Sequence, residues 1–176
     1  LEYEKIPKKK RTNEAAIAAG KSAWALGLPE KASQEFDRAL SFGSPKDEDE
    51  NYLFVSKGII DLQERRYQAA AVQAEKAVQR IIEGSPLRVK AWLLWAESLM
   101  QLGKAGQAEE KYVKALSEAG PGEKPEIHYH LGRCRMILAR YEEARSNFES
   151  IPVSHERTSA ALRELALLSL ETKHYK

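Results

Sequence analysis

From Asn13 onward, apolar residues recur at intervals of three and four, the period of a helix with one buried face. The pattern is cut by runs that a helix cannot continue: Gly27-Leu28-Pro29, Gly43-Ser44-Pro45, Gly84-Ser85-Pro86, Gly103, Gly120-Pro121 and Ile151-Pro152. Glycine accepts the left-handed turn that ends many helices, and proline removes an N–H donor and clashes with the preceding turn. The pieces between these breaks predict helices over 13–26, 30–42, 47–64, 67–83, 86–102, 105–118, 124–139, 141–150 and 155–172. Ser44 and Ser85, each before a proline, read as N-caps with proline opening the helix. No stretch alternates as a strand would. Connections this short fold consecutive helices into antiparallel pairs.

A second pattern lies over the first. The small residues Gly20, Gly58, Ala96 and Gly132 are each followed twelve places later by alanine: Ala32, Ala70, Ala108 and Ala144. Four further on stand Phe36, Ala74, Tyr112 and Phe148, and three beyond those Ala39, Ala77, Ala115 and Ile151. The small residues are 38, 38 and 36 apart, a period typical of helical repeat arrays. A glycine in mid-helix costs about 1 kcal/mol relative to alanine, so one kept there permits the close approach of a neighbouring helix. The expectation is that each alanine meets that approach from the other side and the aromatic fills the space between one pair and the next. Ala74 breaks the rule, so looser packing, or compensation by Tyr67, is expected in the second copy.

These residues resemble the tetratricopeptide repeat family. Its pattern is a small residue in the first helix, a turn, a Tyr-x-x-Ala step, an aromatic, an Ala-Leu pair and a proline. Arg140-Tyr141-Glu142-Glu143-Ala144 followed by Phe148 is the best copy; Ala32 to Phe36 to Ala39-Leu40 and Ala108 to Tyr112 to Ala115-Leu116 are good, and Tyr67 to Ala70 to Ala77 is weaker. The resemblance implies an all-α, right-handed superhelical array of antiparallel helix pairs. Its repeats would be about 13–46, 47–86, 87–122 and 123–154, with a partial fifth over 155–176 and a basic arm or linker over 1–12. Two departures stand out. The tail Gln79 to Gly84 should lengthen the second helix of copy two, and Ile151-Pro152 should shorten that of copy four. The partial fifth copy, around Leu162–Leu170, lacks the polar cap that such arrays use to cover a last apolar face, which opens the possibility of self-assembly.

In this family the first helices of successive pairs line a concave groove that holds a peptide or helix. The groove positions lie three before, one after and four after each small residue. Carried onto this chain they are Ile17, Lys21 and Trp24; Val55, Ile59 and Leu62; Leu93, Glu97 and Met100; Tyr129, Arg133 and Met136; His130 lies beside the last set. Trp24, Leu62 and Met100 are partly used in packing. The lining is mostly apolar, with Lys21, Glu97, His130 and Arg133 as polar exceptions, which suits an amphipathic helix or an extended apolar segment. Groups of the family that grip a terminal carboxylate use lysines, asparagines and an arginine. Here only Lys21, Lys90 and Arg133 could serve, so that subfamily is disfavoured.

Composition and charge narrow the rest. Of the 176 residues, 43% are hydrophobic and 31% charged, and the net charge is +2. Residues 1–12 carry five basic side chains (Lys5, Lys8, Lys9, Lys10 and Arg11) against two acidic ones, which leaves −1 for the remainder. A near-neutral body argues against a nucleic-acid-binding array. The basic arm is left as the only route to nucleic acid or anionic lipid. No run approaches the roughly 20 apolar residues of a membrane span, so a soluble cytoplasmic or periplasmic protein is expected. Leu1 in place of a methionine start suggests a fragment or processed form, and any membrane contact would come from sequence outside it. One cysteine, Cys134, excludes an internal disulfide.

Candidate chemistry is sparse. His130 and Cys134 share a helix face, with His128 close by, yet zinc needs three or four ligands; the neutral alternative is a polar groove wall and a buried thiol. Trp92 and Trp95 read as core. The acidic run Asp47–Glu50 favours a helix start through the helix dipole. No phosphate loop, nucleophile elbow or His–acid pair at a recognisable spacing is present. The expectation is a non-catalytic scaffold or adaptor without cofactor or metal. It would bind a protein or peptide, within a multiprotein assembly such as a bacterial secretion, pilus or polysaccharide-export system.

Overall fold

The structure, a computed structural model, describes residues 13–42 and 47–174. The basic arm, the break at Gly43-Ser44-Pro45, the end of the partial fifth copy at Tyr175 and the side chains of 47–49 and 171–174 lie outside the described residues. Among those described are nine helices and no strand: α1 (Asn13–Ala25), α2 (Pro29–Ser41), α3 (Asp47–Gln63), α4 (Tyr67–Arg80), α5 (Pro86–Gln101), α6 (Ala105–Glu118), α7 (Lys124–Ile137), α8 (Tyr141–Glu149) and α9 (Thr158–His174). The fold is an all-α helical repeat array. Its contacts form two compact units that divide after Arg80. In the first, α1 packs on α2, α2 on α3 and α3 on α4; in the second, α5 packs on α6, α6 on α7, α7 on α8 and α8 on α9.

The repeated small residues explain that stacking. Ala32, Ala70, Ala108 and Ala144 have no exposed surface, and neither do Ala39, Ala77 and Ala115. The partner of the mid-helix glycine, however, is the aromatic of its own pair. A Cβ on Gly132 would lie 2.7 Å from Cε1 and 2.8 Å from Cζ of Phe148, and one on Gly20 would strike Phe36 in the same way. This corrects the expectation that the alanine meets the glycine and the ring serves only the space between pairs. The ring does both. Phe36 shares a buried cluster with Leu53 and Ile60 of α3, Tyr112 with Leu131 and Cys134 of α7, and Phe148 with Ala161 and Leu168 of α9. In the second copy, Ala74 is fully buried and Tyr67 half-buried at the start of α4.

The turn inside each pair repeats to the atom. Gly27, Arg65, Gly103 and Ala139 have φ of 71°, 60°, 73° and 57°, the left-handed conformation that closes a helix. At each, the next N–H reaches back five residues: Leu28 to the Ala23 carbonyl, Arg66 to Asp61, Lys104 to Leu99 and Arg140 to Arg135, at 2.7–3.0 Å. The sequence breaks marked Gly27 and Gly103 only, because Arg65 and Ala139 hold this geometry without glycine's freedom.

Two helix ends differ from expectation. The tail after α4 does not lengthen it. The helix stops at Arg80, Ile81 turns inward to 7% exposure and Gly84 takes φ +77°. Glu118 holds this bend, accepting the Gly84 N–H at 3.3 Å and the Trp92 indole N–H at 2.9 Å. Likewise α9 begins at Thr158 rather than residue 155, because Thr158 Oγ1 donates to the Pro152 carbonyl at 2.7 Å and closes residues 152–158 into turns. At nine residues, α8 is short, as Ile151-Pro152 implies. Ser85 does occupy the N-cap of α5 with proline in the first turn, but its hydroxyl makes no capping bond.

Candidate functional site

The candidate positions fall on the first helices of the pairs, so each unit presents its own face. On the first unit, Ile17 and Val55 are 5% and 3% exposed. Ile17 belongs to the core, with its edge on a shallow open depression that Glu14, Ala18 and Lys21 complete. Lys21 is exposed, with Nζ 4.4 Å from the centroid of the Tyr52 ring, which meets Phe36 edge-on. Ile59 is half-buried. Asp37 of α2 and Lys57 of α3 form an ion pair between the two helix pairs.

On the second unit the structure brings Glu97, Tyr129, His130 and Arg133 together, with Leu93 and Met136 half-buried on the same helices. The polar links form one network. Glu97 of α5 accepts the Tyr112 hydroxyl at 3.0 Å and the Gln101 amide at 2.9 Å. It faces His130 Nδ1 at 3.7 Å, while His130 Nε2 lies 3.0 Å from Glu126 one turn earlier on α7. Arg157, from the turn before α9, donates to both oxygens of Glu126, Nε at 2.6 Å and Nη2 at 2.5 Å. The His130 ring stacks on Tyr112 at 6.0 Å and meets Tyr129 at 77°. Two guanidiniums approach the Tyr129 ring, Arg133 at 6.0 Å and Arg157 at 5.3 Å from its centroid.

Electrostatics follow from this wiring. The Arg157 hydrogen bonds hold the Glu126 carboxyl below its ordinary range, against the opposing effect of burial. The same bonds raise Arg157 further. Burial, then the Glu97 charge, pushes the Tyr112 phenol far above its usual value, so it remains a proton donor to Glu97. Behind the face, the Cys134 thiol donates to the Ala105 carbonyl at 3.2 Å, and burial pushes it up to about 11.

Tyr112, Gln101, Glu126, Arg157 and Glu164, whose Oε1 lies 4.0 Å from Arg133 Nε, were missed by spacing from the small residues. Glu126 carried a signal, since it precedes His130 by four and must share its side of α7. Tyr112 carried one too, as the only hydroxyl-bearing ring among Phe36, Ala74, Tyr112 and Phe148. Arg157 carried none; the turns after Pro152 place it.

The other singled-out groups have local roles. His128 Nδ1 lies 3.1 Å from Asn147 Oδ1, away from His130's partners. Among the described residues, no group of three or more His, Cys, Asp or Glu side chains is placed to hold a metal ion, and no helix is long and apolar enough to cross a membrane. Trp92 and Trp95 stack at 5.7 Å, Trp92 buried and Trp95 half-buried. Glu50 of the acidic run accepts from Arg80 at 2.6 Å and ties α3 to α4.

Comparison with known proteins agrees with this architecture. Residues 93–151 match a family model described as tetratricopeptide repeat. No curated protein matches the chain in sequence. Among solved structures, a tetratricopeptide repeat protein from Parabacteroides merdae superposes with a TM-score of 0.79 at 20% identity, over 93% of this chain and 61% of that one. YrrB, described as a tetratricopeptide-repeat protein with an unusual peptide-binding site, gives 0.75 at 15% identity over 98% and 84%. MamA gives 0.71 at 18% identity over 84% and 81%. At these identities the likeness is one of fold.

Proposed function

We propose, for a chain that carries tetratricopeptide repeats and folds as such an array, the role of a non-catalytic protein–protein interaction scaffold. A peptide or helix of a partner lies against the first-helix face of the second unit, on Leu93 and Tyr129; the first unit offers its own face, with Ile59 at the register position that Arg133 holds in the second. Arg133 pairs with an acidic group on that ligand. The observation that carries the reading is the surface around Tyr129. It joins half-buried apolar side chains to an exposed guanidinium, the mixture that an amphipathic segment needs. YrrB, known by its peptide-binding site, supports the same use of the same fold. The proposed setting is a multiprotein assembly of the secretion, pilus or polysaccharide-export kind, in which the family recurs.

The test is a photo-crosslinking residue placed at Met136, beside Arg133 on α7, with a control at Ile82, which is 79% exposed. The reading expects one partner protein crosslinked from position 136 and not from 82, and its loss when Tyr129→Ala and Arg133→Glu are added in a variant that keeps its helicity. Equal crosslinking from both positions, or from neither, would sink it. A second reading, self-association, is favoured by α9, where Leu162, Leu167 and Leu170 are 59%, 52% and 59% exposed. Sedimentation decides it: a mass that rises with concentration supports it, and a constant monomer mass removes it.

A further inference from the structure

We infer that the partner of the second unit's face is an acidic segment, gripped by Arg133 and Arg157 against the ring of Tyr129. This rests on the scaffold reading above and gives the ligand its chemistry. The two cations share one aromatic ring, at 6.0 Å and 5.3 Å from its centroid. Their donors are largely uncommitted. Arg133 has a side chain 54% exposed and meets Glu164 Oε1 only at 4.0 Å, beyond hydrogen-bond range. Arg157 uses Nε and Nη2 on Glu126, which leaves Nη1 without a hydrogen bond among the described residues.

Glu97 and Glu126 are in the opposite condition, while the third carboxylate of the face, Glu164, stands 4.0 Å from Arg133. Glu97 accepts from Tyr112 and Gln101 and faces His130; Glu126 accepts twice from Arg157 and once more toward His130. A basic ligand would have to displace these donors, and an acidic one displaces none. The two-point contact with Glu126 also fixes the plane of the Arg157 guanidinium, which a planar carboxylate can then meet with two parallel hydrogen bonds. Glu126 is thus a positioning residue. The apolar neighbours Leu93 and Met136 would take an aliphatic side chain beside the acid.

The experiment selects peptides from a random displayed library on the full chain, wild type and Arg133→Gln/Arg157→Gln. Enriched wild-type peptides should carry Asp or Glu next to an apolar residue, and the double variant should lose that preference. The best peptide and its Asn/Gln analogue are then titrated. Wild type should prefer the acidic form by about ten-fold, near 1.4 kcal/mol. R133Q and R157Q should each narrow that gap. A merely structural loss in either variant would instead weaken both peptides alike and leave the gap unchanged. Enriched peptides that are basic or show no acidic excess, or a gap unchanged in both arginine variants, overturn the inference and leave the scaffold reading standing. No enrichment at all overturns both.

Discussion

Alanine at Gly132 sets two calculable effects against each other. In an open helix the change stabilises by about 1 kcal/mol. Here the new Cβ would sit 2.7, 2.8 and 3.0 Å from three atoms of the Phe148 ring. Carbon atoms rest at about 3.5–4.0 Å, so ring or helix must shift by roughly 0.7 Å or more. The ring is 2% exposed and enclosed by Ala144, Ile151, Ala161 and Leu168, which leaves little room to yield. Overpacking of this kind costs about 1–3 kcal/mol, so the expected net effect is a loss of about 1 kcal/mol. Urea unfolding of the full chain, followed by helical circular dichroism, reads it as a lower midpoint at unchanged slope. The decisive arm uses a Phe148→Leu background, where the obstructing ring edge is gone and Gly132→Ala should become stabilising. A single variant that gains the full propensity increment, or an effect of the same sign in both backgrounds, would refute the packing argument.

The left-handed turns give a second expectation. Ala139→Gly and Arg65→Gly each relieve a positive φ that costs about 1–2 kcal/mol in other residues. Less the entropy of a freer unfolded chain, they should gain about 0.5–1 kcal/mol by the same unfolding assay; no gain would mean that these turns are unstrained. Acid titration tests the Glu126–Arg157 tie. A carboxyl depressed in the folded state contributes stability that is present above its unfolded value near 4.3 and is lost as pH falls through the folded one. Below about pH 4, wild type should therefore lose stability faster than Arg157→Gln, and parallel acid limbs would contradict this. Finally, Cys134, buried and pushed up to about 11, should resist a thiol reagent at pH 8 in native protein and react at once in denaturant. Rapid native labelling would show that the α6–α7 packing is misread.

Much of the fold was legible because its determinants are local. Short helices, Gly and Pro breaks and alanines at fixed spacing each follow from the neighbouring sequence, and the structure places nearly every helix where they predict. One helix end failed through a local bond, from Thr158 to the Pro152 carbonyl ahead of α9, and another through a long-range contact. Helix α4 stops at Arg80 because Glu118, far along the chain, captures Gly84 and Trp92. The face around Tyr129 was half legible. Register put Glu97, Tyr129 and Arg133 on one side, with His130 beside them, whereas Arg157 reaches it through irregular turns that have no period.

Tyr112 carries a consequence for how this chain can change over time. Its ring is 1% exposed, deep in the core, while its hydroxyl ends on Glu97 at the candidate binding face. In the first and fourth copies the same position is phenylalanine, so interior and surface there can drift separately. In the third they cannot. Loss of the hydroxyl would strip Glu97 of a donor and loosen its geometry beside His130, and loss of Glu97 would strand a buried phenol. Substitutions at 97 and 112 should therefore travel together among relatives of this chain, making the third copy the slowest of the four to diverge.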